Sequence, residues 1–288
     1  MSNSHRVPRS LAGKVAIVTG AGSAGSGIGN GRAAAILLAE DGCAVLCVDR
    51  DAAAAAATVD MIRADRSSSR PSLGTQAAAC AADVSVPAEC ERVVRTAVET
   101  FGRLDILVNN VGILGAGGDA TAVEPEGWEH GMRVNVGSMV WMAKHAIPAM
   151  LRNDRAEGGG LRGSVVNIGS VAGLGGGIGD LLYPVSKGAV VNLTQSMAFQ
   201  HGKDGIRVNC VCPGAVWTPL ISENPLANEN TRKARGKLNL LGVEGTGWDT
   251  GYAVRWLAGP ESRWITGVIL PVDGGLSSTL PSHLPGTE

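Results

Sequence analysis

The sequence predicts an α/β fold: a doubly wound parallel sheet of about seven strands with helices on both faces. Short apolar runs such as AVLCV and DILV alternate along the chain with segments of helical pattern. These runs are almost continuously apolar, as expected of parallel strands covered by helices on both sides. In such a sheet ligands bind beyond the carboxyl ends of the strands. The segments that follow the strands are therefore where functional residues are expected.

The predicted elements alternate along the whole chain. The strands are Lys14–Thr19, Cys43–Val48, Gln76–Ala82, Leu104–Asn109, Gly163–Ile168, Ile206–Val211 and Gly267–Val272. The helices span 30–41, 52–65, 87–101, 127–151, 185–201 and 248–258. No internal repeat or linker interrupts this order, so a single domain over 1–288 is expected, with tails at 1–12 and 276–288.

Composition narrows the class of protein. Apolar residues make up 44% of the 288 residues and charged residues 18%, as in a folded globular chain. A net charge of −1 predicts no nucleic-acid partner. No apolar run approaches the ~20 residues that span a bilayer, so no membrane association is expected. The polar start MSNSHRVPRS lacks a signal peptide's apolar region. The six cysteines form no CxxC motif, which favours reduced thiols over metal binding. A cytoplasmic location is expected.

A glycine-rich turn, from Thr19 to Arg32, follows the first predicted strand and opens the first helix. Glycine lets a backbone approach a pyrophosphate closely, and a helix N-terminus supplies free N–H groups with partial positive charge. Gly20, Gly22 and Gly25 satisfy GxGxxG, which alone is a weak signal in so glycine-rich a segment. The strand before and the helix after strengthen it, and together they predict a Rossmann-type dinucleotide site.

The second predicted strand is followed by Asp49, twenty residues beyond Gly29. A carboxylate there can accept hydrogen bonds from the adenosine ribose hydroxyls and repel the 2′-phosphate of NADP. Arg50 beside it could instead bind that phosphate. The pattern favours NAD, with NADP as the less favoured alternative.

Further motifs follow the glycine-rich turn. They are Asp83-Val84, Asn109-Asn110-Val111-Gly112, Asn135 in RVNVG, Ser170 thirteen residues before Tyr183, Tyr183-Pro-Val-Ser-Lys187, Pro213-Gly214 with Thr218, and Val272-Asp-Gly-Gly275. In this order and spacing they resemble the short-chain dehydrogenase/reductase family from about Lys14 to Gly275. That family's turn reads TGxxxGxG, and here extra residues follow Thr19-Gly20. Matching letters places the closing glycines at 27 and 29, whereas the length of the following helix favours 29 and 31.

The resemblance implies contacts for a nicotinamide dinucleotide. The glycine turn would hold the pyrophosphate, Asp83-Val84 the adenine, and the segment from Pro213 the nicotinamide carboxamide. The residues expected at the cofactor are Gly20, Gly22, Ser23, Ile28, Gly29, Asn30, Asp49, Arg50, Asp83, Val84, Asn110, Val111, Gly112, Tyr183, Lys187, Pro213, Gly214, Val216 and Thr218. The resemblance also implies a homotetramer built on the helices that hold 127–151 and 183–201, with the last strand and tail contributing.

Tyr183, Lys187, Ser170 and Asn135 are the expected catalytic residues. A free tyrosine loses its proton only near pH 10, so a tyrosine base at neutral pH needs a nearby cation. Lys187, four residues on, would share one helix face with Tyr183. By resemblance Lys187 also holds the ribose, Ser170 bonds the substrate oxygen, and Asn135 holds a water that connects Lys187 to solvent. Because Pro184 disfavours helical geometry at the residue before it, a helix start near Pro184 is expected.

The predicted function is hydride transfer between NAD(H) and a secondary alcohol or ketone. The substrate pocket is expected from Ile113–Asp119, Val171–Leu182 and Trp217–Gly247, the last as a lid without clear secondary structure. Leu220, Ile221 and Leu226 in it favour a medium-sized, largely apolar alcohol. A 3-oxoacyl-carrier-protein reductase using NADPH is an alternative that Asp49 disfavours. A non-catalytic nucleotide-sensing regulator is a second, against which the intact Tyr and Lys count.

Overall fold

A computed structural model describes residues 9–23, 27–64, 76–154, 160–176, 179–223 and 227–278. The outer parts of both predicted tails, Gly25 of the glycine-rich turn and Leu226 of the predicted lid lie outside these residues. None of the helices in the described ranges is both long and apolar enough to cross a membrane.

Seven strands form one sheet in the order β3-β2-β1-β4-β5-β6-β7, and every neighbouring pair is parallel. The strands are β1 Val15–Thr19, β2 Ala44–Asp49, β3 Ala77–Ala81, β4 Ile106–Asn109, β5 Gly163–Ile168, β6 Ile206–Pro213 and β7 Ile269–Val272. All residues of β1, β4, β5 and β6 are buried. The predicted doubly wound parallel sheet is confirmed.

Helices cover both faces of this sheet. They are α1 Asn30–Glu40, α2 Ala52–Ala64, α3 Pro87–Phe101, α4 Pro125–Met132, α5 Ser138–Met150, α6 Leu182–His201, α7 Pro219–Ser222, α8 Glu229–Gly236 and α9 Gly247–Ala258. One apolar core joins the sheet to α3, α5 and α6, and a second joins its other face to α1, α2 and α9. Because helices pack against both faces of the sheet, its strands carry apolar residues on both sides.

Three predicted elements differ from the observed ones. The helix predicted at 127–151 is α4 and α5 joined by a π-helical turn, Arg133–Gly137. The helix predicted from 185 begins at Leu182, so Pro184 lies within its first turn, where proline is tolerated because that turn's N–H groups have no intrahelical partner. The lid predicted without secondary structure contains α7 and α8.

The chain reverses direction across the sheet between β1 and β4. The strands β1, β2 and β3 build outward on one side, and β4 then returns to pair with β1 on the other. The two connections that leave β1 and β4 consequently diverge and open a crevice at the carboxyl edge, the usual ligand site of such sheets. The glycine-rich turn follows β1, and Asn110-Val111-Gly112 follows β4, so both predicted cofactor segments border this crevice.

Candidate active site

The glycine-rich turn closes on the first turn of α1. Gly29 is the N-cap residue of α1, and Gly31 lies in its first turn. A Cβ atom at Gly31 would collide with the carbonyl oxygen of Gly20 and would lie 2.5 Å from the Asn110 side chain. Gly20 itself has φ +63°, in the left-handed region that favours glycine. The closing pair of the turn is thus Gly29 and Gly31, the register that helix length favours.

Asp49 joins β2 to the turn. Its Oδ2 accepts from the backbone N–H of Gly22 at 3.0 Å, and its Oδ1 accepts from that of Asp51 at 3.1 Å. Arg50 is exposed. Burial raises the pKa of Asp83, but hydrogen bonds from Ser85 and the charges of Arg50 and His130 outweigh it, so the Asp83 pKa lies below its usual range. The guanidinium of Arg50 therefore acts on the predicted adenine pocket.

Asparagine side chains fasten the segment after β4. Asn110 donates from Nδ2 to the Gly20 carbonyl and from its backbone N–H to Thr19 Oγ1, both at 3.0 Å. Asn109 donates to Asn167, which in turn donates to Thr194 Oγ1. Both sides of the crevice are therefore tied to each other and to α6.

Tyr183 and Lys187 lie in the first turns of α6. The Lys187 ammonium is 5.7 Å from the centroid of the Tyr183 ring and donates to the Ile168 carbonyl at 2.9 Å. Only 3% of Lys187 is exposed. A Cβ atom at Gly112 would lie 3.1 Å from Lys187 Nζ, so the segment after β4 passes close to this ammonium. Burying an ammonium so close to a phenol costs free energy unless hydrogen bonds or an opposite charge compensate for the lost hydration.

Asn135 is fully buried in the π-helical turn. Its Oδ1 accepts from the Ile113 N–H, and its Nδ2 donates to the Ile113 carbonyl and to Ser186 Oγ, at 2.8, 2.9 and 2.9 Å. Ser186 Oγ donates to the Tyr183 carbonyl at 2.8 Å. The structure thereby links Asn135 to α6 through Ser186, a residue that the motif pattern did not single out.

Ser170 ends the connection from β5. It is extended, 9% exposed, and its Oγ accepts from the Ala172 N–H at 3.1 Å. On the neighbouring strand β6, Gly214 donates from its N–H to the Val272 carbonyl, and Thr218 is the buried N-cap residue of α7. Pro213 ends β6, and Val216 precedes the lid.

A cavity of about 490 Å³ is lined by residues that lie close in sequence to Ser170 and Tyr183, although neither of these two lines it. Its walls include Ala172 and Gly173, which follow Ser170 after one intervening residue, and Pro184, which follows Tyr183. Two carboxylates, Asp119 and Asp180, also line it. The predicted segments 113–119 and 171–182 meet here, because Asp180 Oδ1 accepts from the Gly118 N–H and Leu181 donates to the Gly118 carbonyl.

The lid carries a guanidinium that sequence reasoning missed. Arg235 lies in α8, and its Nε is buried with no hydrogen-bond partner among the described residues. Burial lowers the pKa of Arg235, and the charge of an ionised Tyr183 would raise it. The other arginine of α8, Arg232, has a carboxylate partner in Glu244. Only the fold brings position 235 within electrostatic range of Tyr183, so no local pattern could have found it.

Known proteins are similar to this chain in sequence and fold. A family model described as enoyl-(acyl carrier protein) reductase matches residues 22–277. Cyclohexanol dehydrogenase from Acinetobacter sp. is 35% identical, and meso-2,3-butanediol dehydrogenase from Serratia marcescens is 33% identical, each over 92% of this chain and 95% of its own length. A short-chain dehydrogenase/reductase structure from Burkholderia xenovorans is 34% identical, with a TM-score of 0.82 over 94% of this chain and 99% of its own. The chain belongs to the short-chain dehydrogenase/reductase family.

Members of this family use a nicotinamide dinucleotide, and the site fits one. Two similar structures are described with different cofactors: a 7α-hydroxysteroid dehydrogenase with NADH, and RhlG of Pseudomonas aeruginosa with NADP. Each is 31% identical; the TM-scores are 0.79 and 0.80, over 92% and 94% of this chain and 95% and 100% of the other. In this chain glycines line the crevice where a Cβ would collide, and the N-terminus of α1 has no side-chain cap in the described part. Such a terminus suits a pyrophosphate.

Proposed function

We propose that this protein is an NAD(H)-dependent dehydrogenase that interconverts a secondary alcohol and a ketone, with Tyr183 as the proton-transfer group. The observation that carries the proposal is the buried Lys187 ammonium, 5.7 Å from the Tyr183 ring. A cation at this range favours the phenolate, which a tyrosine must reach to take a proton from an alcohol near neutral pH.

Each neighbouring side chain has one role in this proposal. The bound nicotinamide supplies or accepts the hydride. Tyr183 takes the hydroxyl proton in oxidation and returns it in reduction, and Ser170 donates a hydrogen bond to the substrate oxygen. Lys187 holds the ribose and the charge of the phenolate. Asn135 keeps the segment at Ile113 in register with α6 and holds the water that connects Lys187 to solvent.

NAD is the proposed cofactor, supported by Asp49 at the end of β2. A 2′-phosphate beside this carboxylate would meet a like charge and lose the ribose hydrogen bond. The nineteen positions named at the cofactor, from Gly20 to Thr218, are proposed as its contacts.

The proposed substrate is a medium-sized alcohol. Support comes from the cavity of about 490 Å³. The described parts of the predicted lid, 217–223 and 227–247, do not line this cavity. The description of the family model makes an acyl-carrier-protein reductase the second candidate. Asp119 and Asp180 count against it, because they would repel an acidic carrier. Arg235 favours substrates with a second oxygen near the reacting carbon, since its Nε has no acceptor.

The wider proposals concern the chain as a whole. We propose a single domain, a homotetramer, and a cytoplasmic location, the last supported by six buried cysteines that form no disulfide.

A substrate panel with purified wild-type protein tests this function. Cyclic and linear secondary alcohols, matched ketones, and partners with and without a second oxygen are assayed with NAD(H) and NADP(H). We expect NAD-linked oxidation of several secondary alcohols, with higher kcat/KM for those carrying the second oxygen. Activity restricted to carrier-bound acyl substrates with NADPH would support the second candidate instead.

A further inference from the structure

Arg32 is a fully buried arginine beneath the glycine-rich turn. It lies in the first turn of α1 and has 0% exposure. A buried guanidinium is expensive unless its N–H groups find acceptors. Here Nε donates to Thr58 Oγ1 at 2.9 Å, Nη1 to the Gly27 carbonyl at 2.6 Å, and Nη2 to the Ser23 carbonyl at 3.2 Å.

Thr58 extends the same network to the start of the turn. Its hydroxyl accepts from Arg32 and donates to the Ala21 carbonyl at 2.7 Å. The backbone carbonyls of residues 21, 23 and 27 therefore all accept hydrogen bonds from one buried pair, Arg32 and Thr58. These carbonyls lie on both sides of the residues that lengthen the turn. No described residue between Thr19 and Asn30 belongs to a helix or strand, so these side-chain bonds replace the backbone ladder that would otherwise fix the segment.

The pair also lies beside the predicted ribose site. Burial lowers the pKa of Arg32, and the charge of Asp49 raises it, which places the two groups within electrostatic range. The Asp49 carboxylate in turn accepts from the Gly22 N–H. Any shift of the turn would therefore move both the pyrophosphate cradle and the partner of Asp49.

We infer that Arg32, together with Thr58, is a positioning residue that holds the lengthened glycine turn in the conformation that binds the dinucleotide. This inference rests on the proposed function, because it assigns the crevice to that cofactor. Arg32 touches neither substrate nor reacting atoms. Its loss should weaken cofactor binding and leave the chemical step unchanged once the cofactor is bound.

The geometry also predicts which replacement restores binding. Arginine presents five donors in a planar fork, whereas lysine offers three donors from one nitrogen on a flexible stem. Lysine cannot bridge Thr58 and two turn carbonyls at once, so Arg32→Lys should recover only part of the affinity.

The experiment compares Arg32→Met, Arg32→Lys, Thr58→Val and Arg32→Met/Thr58→Val with wild type. The NADH dissociation constant is measured by fluorescence, along with kcat, KM for NAD and Tm. We expect Arg32→Met to raise the dissociation constant and KM roughly 10- to 100-fold with kcat within about twofold of wild type. Thr58→Val should raise them less, and the double variant should be less than additive because both members act through one network.

Arg207→Met is the matched control. Arg207 is also buried, at 4% exposure, and donates to the backbone carbonyls of Leu257 and Gly259, away from the turn. It should lower Tm and leave NADH affinity unchanged. If Arg32→Met does not fold, Arg32→Lys and Thr58→Val provide the same test: the inference predicts weaker NADH binding with kcat unchanged.

Wild-type NADH affinity in folded Arg32 and Thr58 variants, or an equal loss in Arg207→Met, would overturn the inference while leaving the proposed function intact. A wild-type protein that binds neither NADH nor NADPH would overturn the proposed function instead.

Discussion

Lys187 lies beside Tyr183 and is almost completely buried. One of its three donors goes to the Ile168 carbonyl, and the ammonium faces the glycine segment after β4. Loss of hydration disfavours the charged form of a lysine unless anionic or strongly polar groups compensate. A phenolate on Tyr183 and the hydroxyls of a cofactor ribose are such groups, so the burial of Lys187 fits the proposed reaction.

The first prediction concerns the hydroxyl of Tyr183. Tyr183→Phe keeps the ring and removes the proton carrier, so turnover should fall by roughly 10²- to 10⁴-fold while NADH binding survives. The chain contains one other tyrosine, Tyr252, which is 59% exposed on α9 and provides the control variant Tyr252→Phe. Substantial residual turnover in Tyr183→Phe with intact NADH binding would remove Tyr183 from this role.

The second prediction concerns Lys187. Lys187→Ala removes the cation that favours the phenolate, so the rise of the oxidation rate with pH should move to higher pH. NAD affinity should also fall, because a ribose contact is lost. Lys144→Ala, an exposed lysine on α5, should leave the pH profile unchanged. A normal rate near neutral pH in Lys187→Ala would contradict the assigned role.

The third prediction concerns cofactor choice. Wild type should prefer NAD over NADP by about tenfold to a thousandfold in kcat/KM, because a 2′-phosphate would face the Asp49 carboxylate. Asp49→Ala should lower NAD use and raise NADP use, with Arg50 as the phosphate partner. Asp49→Asn keeps an acceptor for Gly22 and removes the charge, so it should admit NADP with a smaller loss of NAD activity.

Steady-state kinetics with both cofactors measure this preference. Asp60→Ala, which removes an exposed carboxylate from α2, is the control for a general charge effect. An unchanged NAD/NADP ratio in Asp49→Ala, or a wild type that prefers NADP, would mean that this carboxylate does not contact the ribose.

At the scale of elements, sequence patterns predicted the structural features that depend on residues close together in the chain. All seven strands were found because each is a short, largely apolar run, even β7, in which no residue is fully buried. The π-helical turn at Asn135 was missed, because an amphipathic pattern continues through it and the bonds of Asn135 to Ile113 and Ser186 come from distant segments. The buried position of Arg32 was missed for the same reason: Thr58 is 26 residues away.

The lid shows the same limit. Its leucines gave no helical pattern, yet α8 forms because Asn228 and Thr231 make a capping box at its N-terminus. Arg232 then fastens α8 to Glu244 with two hydrogen bonds, at 2.6 and 2.7 Å, and its guanidinium lies 5.6 Å from the Trp217 ring. These contacts join α8 to both ends of the predicted lid.

The fourth prediction therefore concerns the lid. Arg232→Met removes the bidentate pair and should raise KM for the alcohol by roughly two- to fivefold while KM for NAD changes little. Lys233→Met, which removes the looser surface pair with Glu229 at 3.8 Å, is the matched control and should change neither constant. Equal effects of the two variants would mean that the tie to Glu244 does not order the lid.

At the scale of the whole molecule, two aromatic side chains stand almost fully exposed in separate places. Phe199, on α6, is 89% exposed, and Trp264, before β7, is 91% exposed. Large exposed apolar groups commonly mark contact surfaces. A closed tetramer with twofold axes needs more than one kind of self-complementary patch. Phe199 lies in a helix that family resemblance assigns to subunit contacts, and Trp264 lies shortly before the last strand, which contributes to them by the same resemblance.

The fifth prediction is the assembly itself. Wild type should sediment as a homotetramer, with four times the chain mass of 29.4 kDa. Phe199→Glu should shift it toward smaller species, because an interface centre tolerates a charge poorly when its partner patch is apolar. Val86→Glu, which alters an exposed valine outside the helices expected at the interface, is the control and should remain tetrameric. Analytical ultracentrifugation over a range of protein concentrations separates the species. A monomeric wild type would exclude the proposed tetramer, and an unchanged mass in Phe199→Glu would exclude α6 from its interface.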